Sequence, residues 1–186
     1  MAEHDRDYSE TMVSSRTVYS GVLLNVVADE VRLPNGRTAV REYIHHPGAC
    51  MMLAFVDEQT ILFERQFRYP MRRHFIEVPA GKIEPGEDPL VTAQRELKEE
   101  CGYEAAEWRH LATLHPCIGY ADEHIELYLA RGLTHVGGEL DDEEFLDVFP
   151  LTIREALAWV RDGRITEAKA ITALLWADRI ARGEWT

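Results

Sequence analysis

Residues 81–103 constrain this chain more than any other stretch. They read Gly-Lys-Ile-Glu-Pro-Gly-Glu-Asp-Pro-Leu-Val-Thr-Ala-Gln-Arg-Glu-Leu-Lys-Glu-Glu-Cys-Gly-Tyr. Asp88 is a good N-cap, because its carboxylate can accept the unpaired N–H groups of a first helical turn. Pro89 then falls at the first helical position, where its missing N–H costs nothing. Gly102 follows the last periodic residue and can adopt the left-handed conformation that ends helices. The grammar predicts a helix over 89–101.

At about 100° per residue, Leu90, Ala93, Leu97 and Cys101 share one stripe, the expected buried face. Glu96 and Glu100 are four apart and stack along its flank, like charges with no cation expected nearby on their own helix; Glu99 lies further round and can pair with Arg95. Lys98 points to the other flank. Like charges at this spacing destabilise a helix by a few tenths of a kcal/mol. Two readings stand side by side: a solvated acidic face, or a site for a hard divalent cation, since carboxylate oxygens suit Mg²⁺ or Mn²⁺.

A chain of 186 residues suits one domain, or one domain with a small extension, and can bury a real core. The formal net charge of −13 argues against nucleic acid or an anionic membrane as the main partner. An acidic protein acting on an anion would need imported positive charge, which metal ions supply. The three cysteines, Cys50, Cys101 and Cys117, show no metal-ligand spacing. Two sit in apolar contexts that suit small core residues, which favours a reducing compartment. The longest apolar run, 49–56, is far below the ~20 residues of a spanning helix. With no basic-then-apolar signal at the amino terminus, the expected localisation is cytoplasmic.

Along the chain, residues 1–15 are polar and aperiodic and are expected to be disordered. Strand-like material over 17–33 ends at Pro34-Asn35-Gly36, a strong turn signal. Residues 38–45 read as the returning strand of a hairpin that could form a separate small sheet. The continuous apolar run 49–56 reads as a central strand, with 60–67 its partner, where Glu64 and Arg65 break the apolar run. Further strands are expected at 75–78, 107–115, 125–130 and 145–149. Thr152-Ile153-Arg154-Glu155 is a capping box that starts a helix to Arg161. A last helix is expected over 167–181. Strands, helix, strands and helices in that order predict an α+β or mixed-sheet α/β layered fold.

The opening stretch resembles the Nudix box in full. Its nine specified positions are Gly81, Glu87, Arg95, Glu96, Leu97, Glu99, Glu100, Gly102 and Tyr103, the last more often aliphatic in the family. The flanks are similar to the ADP-ribose pyrophosphatase branch of that superfamily. They comprise Gln66-Phe67-Arg68, Glu77-Val78-Pro79-Ala80 leading into the box, Pro116 with Gly119-Tyr120-Ala121-Asp122-Glu123, and His46-Pro47-Gly48-Ala49.

The resemblance implies an α/β/α sandwich with a mixed sheet, plus an N-terminal hairpin or small sheet. Residues 1–46 would be an arm and hairpin that dimerise, and 47–186 the catalytic domain. It implies Mg²⁺-dependent hydrolysis (Mn²⁺ a possible substitute) of the pyrophosphate of ADP-ribose or a related ADP-sugar, giving AMP and ribose 5-phosphate. By position, Glu96 and Glu100 are implied metal ligands, Glu99 a further ligand or base, and the Ala80 carbonyl an additional ligand. Glu87 and Arg95 would orient the loop and helix. The family's base often comes from a late loop, which points to Glu144, with Asp142 and Glu143 as competitors; the plainer reading of 139–144 is a solvated loop. Arg68 could reach a phosphate or the terminal ribose, and Arg41 with Glu42 the adenosine end, or each could be a surface ion pair. His45 and His46 do not suit a metal, because adjacent strand residues point to opposite faces. The rivals are the same chemistry on another sugar nucleotide such as GDP-mannose, and a catalytically silent module that binds ADP-ribose. Keeping two stacked glutamates argues against silence.

Overall fold

The computed structural model describes residues 6–140 and 144–185. The chain divides into two compact units: Met1–His46 with Cys117–Glu123, and Pro47–Pro116 with His124–Thr186.

The first unit is a three-stranded antiparallel sheet, β1 (Thr11–Ser20), β2 (Asn25–Arg32) and β3 (Thr38–His45), in that order. Gly36 closes the β2–β3 turn at φ 82°, a conformation that glycine adopts without strain. The sequence expected disorder through Ser15, yet β1 begins at Thr11 and pairs with β2 along its whole length. All ten of its residues are exposed. A strand buried on neither face carries no alternation, so the periodicity criterion passes over it. Segment Cys117–Glu123 joins this sheet through the Ile44 N–H to the Tyr120 carbonyl, 2.9 Å, and the Asp122 N–H to the Ile44 carbonyl, 3.2 Å. The Asp122 carboxylate accepts the His46 N–H at 2.7 Å and pairs with His45 Nδ1.

The second unit is built on a seven-stranded mixed sheet. Its strands are β4 (Ala49–Asp57), β5 (Thr60–Arg68), β6 (Arg73–Glu77), β7 (Ala80–Lys82), β8 (Tyr103–Leu114), β9 (Ile125–His135) and β10 (Leu146–Thr152). The order is β10-β5-β4-β9-β8, with β6 on β5 and β7 on β4. Only the β4–β9 pairing is parallel. β4 meets β5 only near their shared turn, at Phe55 and Asp57. Further back, β7 pairs with Ala49, Cys50 and Met51 instead. That exchange sets Ala80 and Gly81 beside the centre of the sheet.

β4 is buried from Ala49 to Phe55, as its unbroken apolar run predicts. Alternation then sorts its side chains. Met51, Leu53 and Phe55 pack with Ile153 and Ala156 of α2 (Ile153–Arg161) and with Ala173, Leu174 and Ala177 of α3 (Ala168–Ala181). Cys50, Met52 and Ala54 pack on the other face with Ala93, Leu97 and Cys101 of α1 (Pro89–Cys101). Helices on both faces of a mixed sheet make the expected α/β/α sandwich. Thr152 and Glu155 form the predicted capping box of α2. No helix among the described residues is long and apolar enough to cross a membrane.

Candidate active site

α1 starts and stops where its sequence grammar places it. The Asp88 carboxylate accepts the Leu90 N–H at 2.9 Å, and Gly102 ends the helix at φ 74°. Ala93, Leu97 and Cys101 are buried as expected, but so are Thr92 and Glu100. Thr92 donates its hydroxyl to Glu87 at 2.7 Å. Glu87 also accepts from Arg95 Nε and Nη2, both at 3.1 Å. The Arg95 guanidinium, with help from Thr92, holds the Glu87 carboxyl down at about 2. The loop before α1 is thus fastened to the helix by a charged fork, the orienting arrangement expected for these two residues.

Arg95 reaches further than the sequence suggested. Its Nη1 lies 2.9 Å from Glu99 Oε2, the expected pair, and also 2.9 Å from Glu96 Oε1. The expectation that no cation of the same helix attends Glu96 is corrected here: a long guanidinium spans adjacent positions as well as the next turn. Glu96 is mostly buried and lies directly over Gly81, where a Cβ would come within 1.9 Å of its carboxyl carbon. A side chain at position 81 and this Glu96 placement exclude each other.

Glu100 is the most confined of the box glutamates. It is 9% exposed, and its Oε2 has no hydrogen-bond partner among the described residues. Burial pushes its carboxyl well above the ordinary range, and Glu64, Glu96 and Glu144 push the same way. The Ala80 peptide group acts in the opposite direction. Burial likewise raises Glu96, opposed by Arg95 and aided by Glu99 and Glu144. These mutual effects place Glu96, Glu99, Glu100 and Glu144 in one electrostatic neighbourhood with the Ala80 backbone. Asp142 and Glu143 lie outside the described residues.

Two further carboxylates belong to this neighbourhood and were missed from the sequence. Glu64 on β5 and Glu77 on β6 are register partners, both buried. Glu64 accepts the Cys101 thiol at 3.2 Å, and its charge acts on Glu100. Burial holds Glu64 above the ordinary carboxylate range. Glu77 receives Arg68 in a fork, Nε to Oε1 at 2.7 Å and Nη2 to Oε2 at 2.8 Å. Burial alone would raise Glu77, but the fork and Lys169 leave it below its ordinary value. The available signal was a charge interrupting an otherwise apolar strand, since a buried charge must be paired or functional.

Arg68 therefore stands beside the carboxylates, whose charges act on it together with that of Glu77. Arg41 and Glu42 are on β3 in the other unit, both exposed. Arg41 is forked onto Glu10, Nε to Oε2 at 2.9 Å and Nη2 to Oε1 at 2.5 Å.

Among the described residues, no group of three or more His, Cys, Asp or Glu side chains is already gathered to hold a metal. The residues nonetheless fit a hard cation. A buried Glu100 oxygen orphaned among the described residues, a second carboxylate laid over a glycine, and several mutually repelling acids form an oxygen donor set. Glu96 and Glu99 would exchange part of their contact with Arg95 for the ion.

The chain matches two family models, the NUDIX domain over residues 44–174 and the nucleoside diphosphate sugar hydrolase N-terminal domain over residues 10–44. The methanol dehydrogenase activator of Bacillus methanolicus is 40% identical over 169 residues, covering 90% of this chain and 91% of its own. The ADP-ribose pyrophosphatase of Bacillus subtilis (strain 168) is 37% identical over 171 residues, covering 91% of this chain and 92% of its own. A crystal structure of an ADP compounds hydrolase superposes with a TM-score of 0.86 at 23% identity, covering 97% and 98% of the two chains, and shares the fold. A complete box on a capped helix, the sandwich around it and the match over most of its length make this chain a member of the Nudix hydrolase family.

Proposed function

We propose that the chain hydrolyses the pyrophosphate of ADP-ribose, or of a related ADP-sugar, to AMP and ribose 5-phosphate with Mg²⁺ as its cofactor. The observation that carries this reading is the Glu100 oxygen, without a partner among the described residues and amid Glu64, Glu96 and Glu144. Kinship to the Bacillus subtilis ADP-ribose pyrophosphatase supports the choice of substrate.

Glu96, Glu100, Glu99 and the Ala80 carbonyl would hold the metal, with Mn²⁺ a workable substitute. Bound there, Mg²⁺ would neutralise the pyrophosphate and lower the pKa of a coordinated water. Arg95 and Glu87 keep α1 and its preceding loop in register. Glu144 takes the proton of the attacking water at a carboxylate oxygen, with Asp142 and Glu143 as its competitors for that role. Arg68 donates to the phosphate or the terminal ribose, and Arg41 with Glu42 receives the adenosine end.

Residues 1–46 serve as a dimerisation element and 47–186 as the catalytic domain. β1 supports this: it exposes Met12, Val13, Val18 and Tyr19 along its length, surface that a second copy would cover. Cys50 and Cys101, buried and unbridged, suit the reducing cytoplasm.

The test is a panel of nucleoside diphosphate sugars with Mg²⁺ or with chelator, followed by product analysis. AMP formed preferentially from ADP-ribose, and only with metal, supports the proposal. GMP from GDP-mannose in preference would move the substrate to another sugar nucleotide. Binding without turnover under any metal would leave a silent module.

A further inference from the structure

Arg68 divides its donors unevenly. Nε and Nη2 close a side-on fork on Glu77. A guanidinium carries five N–H donors, so three remain on Nη1 and Nη2, two of them along the edge those nitrogens share. The Arg68 side chain is 45% exposed while the carboxylate it grips is 4% exposed. The anchor is thus buried while the side chain that grips it remains partly exposed.

A second cation shares the anchor. Lys169 Nζ is 3.7 Å from Glu77 Oε2 and 3.0 Å from Glu167 Oε1. Glu167 is the N-cap of α3 and accepts the Ala170 N–H at 2.7 Å. Next to it, Arg73 Nη2 donates to Thr166 Oγ1 at 3.1 Å. Charges alternate from Arg68 through Glu77 and Lys169 to Glu167, and they tie the end of β5 to β6 and to the start of α3. A buried carboxylate is costly unless paired. Here both cations compensate it, which fixes Glu77 and, through the fork, the plane of Arg68.

We propose that Glu77 and Lys169 are positioning residues: they hold the Arg68 guanidinium so that its free edge receives a phosphate oxygen of the pyrophosphate beside the metal carboxylates. This rests on the pyrophosphatase reading above. Planar, bidentate recognition of phosphate depends on the orientation of the fork. Loosening the anchor weakens substrate binding and leaves the metal carboxylates as they were.

The experiment uses the full chain, the sugar nucleotide that the wild type hydrolyses, and four variants: Glu77→Gln, Lys169→Met, Lys169→Arg and Arg68→Lys. Glutamine keeps the size of Glu77 but turns an amide nitrogen toward the guanidinium. Glu77→Gln is expected to raise KM about tenfold, the scale of one charged hydrogen bond, with kcat and Mn²⁺ affinity unchanged. Adding Glu77→Gln to Arg68→Lys should cost nothing more, because both break the same fork. Lys169→Met should raise KM less, and Lys169→Arg should restore it. Wild-type turnover with an unchanged KM in Glu77→Gln overturns the positioning role and leaves the pyrophosphatase reading standing. So does a loss confined to kcat together with metal binding. If Glu77→Gln does not fold, the half-buried Lys169 decides: a raised KM at unchanged Tm supports the proposal, and an unchanged KM overturns it. No turnover of any sugar nucleotide by the wild type overturns both readings.

Discussion

Replacing Gly81 by Ala tests the site through its backbone. Gly81 has no need of a left-handed φ, so alanine brings no intrinsic strain. What it brings is a collision. The new Cβ would stand 1.9 Å from Glu96 Cδ and 2.1 Å from Oε1, where ordinary contact begins at 3.4 Å. Restoring ordinary contact would move the carboxyl carbon by 1.5 Å. The atoms struck are side-chain and not backbone, so the cost falls on the position of the ligand and its contact with Arg95 more than on the fold. A misplacement of about 1 Å can cost about 100-fold in rate, or ~2.7 kcal/mol of transition-state stabilisation. The assay is kcat/KM with Mg²⁺ on the preferred sugar nucleotide, with Tm and far-UV circular dichroism as controls. Expected are a fall of that order, weaker metal binding and a nearly unchanged Tm. A variant with wild-type activity would refute the claim that Glu96 acts from its place above Gly81.

Other consequences are equally open to measurement. Glu100→Gln should cut turnover by more than about 100-fold, since even outer partners of metal ligands are worth ~10–100-fold, and should fold normally because it removes a charge from a crowded, buried site; unchanged kcat would remove Glu100 from the metal. Glu64 and Glu100 have carboxyls raised by burial, so the metal-free fold loses stability as pH rises from their ordinary 4.5. Mg²⁺ should therefore raise Tm more at pH 8 than at pH 5, and a pH-independent increment would contradict this. Glu87 has the opposite sign: held at about 2 by Arg95, it stabilises the fold fully above 4.5 and loses that contribution as pH falls toward 2. Acid titration of Tm should be shallower in Glu87→Gln than in the wild type. Arg95→Met leaves Glu87, Glu96 and Glu99 without their shared cation and should cost about 2 kcal/mol in urea unfolding.

Much of this was legible because it is local. Asp88, Pro89 and Gly102 delimit α1 by interactions within a few residues, and the short unbroken apolar run of β4, bounded by turn residues, reads as a strand covered on both faces. The box supplied Glu96, Glu99 and Glu100 as a pattern. Distant pairing was not legible. Glu64 and Glu77 sit on successive strands and Lys169 on a helix far along the chain, and nothing near any of them names its partners. Arg68 was singled out, but its anchor on Glu77 follows from the pairing of β5 with β6. The first half of β1 was missed because exposure on both faces removes the alternation that marks a strand. The reach of Arg95 to Glu96 was missed because neighbouring helix positions are ordinarily taken to face apart.

The central claim is that the stacked glutamates of α1 hold a divalent cation. Mn²⁺ binding, followed by electron paramagnetic resonance without substrate, measures this most directly. The wild type should bind Mn²⁺ and release it to excess Mg²⁺, and the double variant Glu96→Gln with Glu100→Gln should fold normally and not bind. Equal Mn²⁺ binding by the folded double variant would contradict the account.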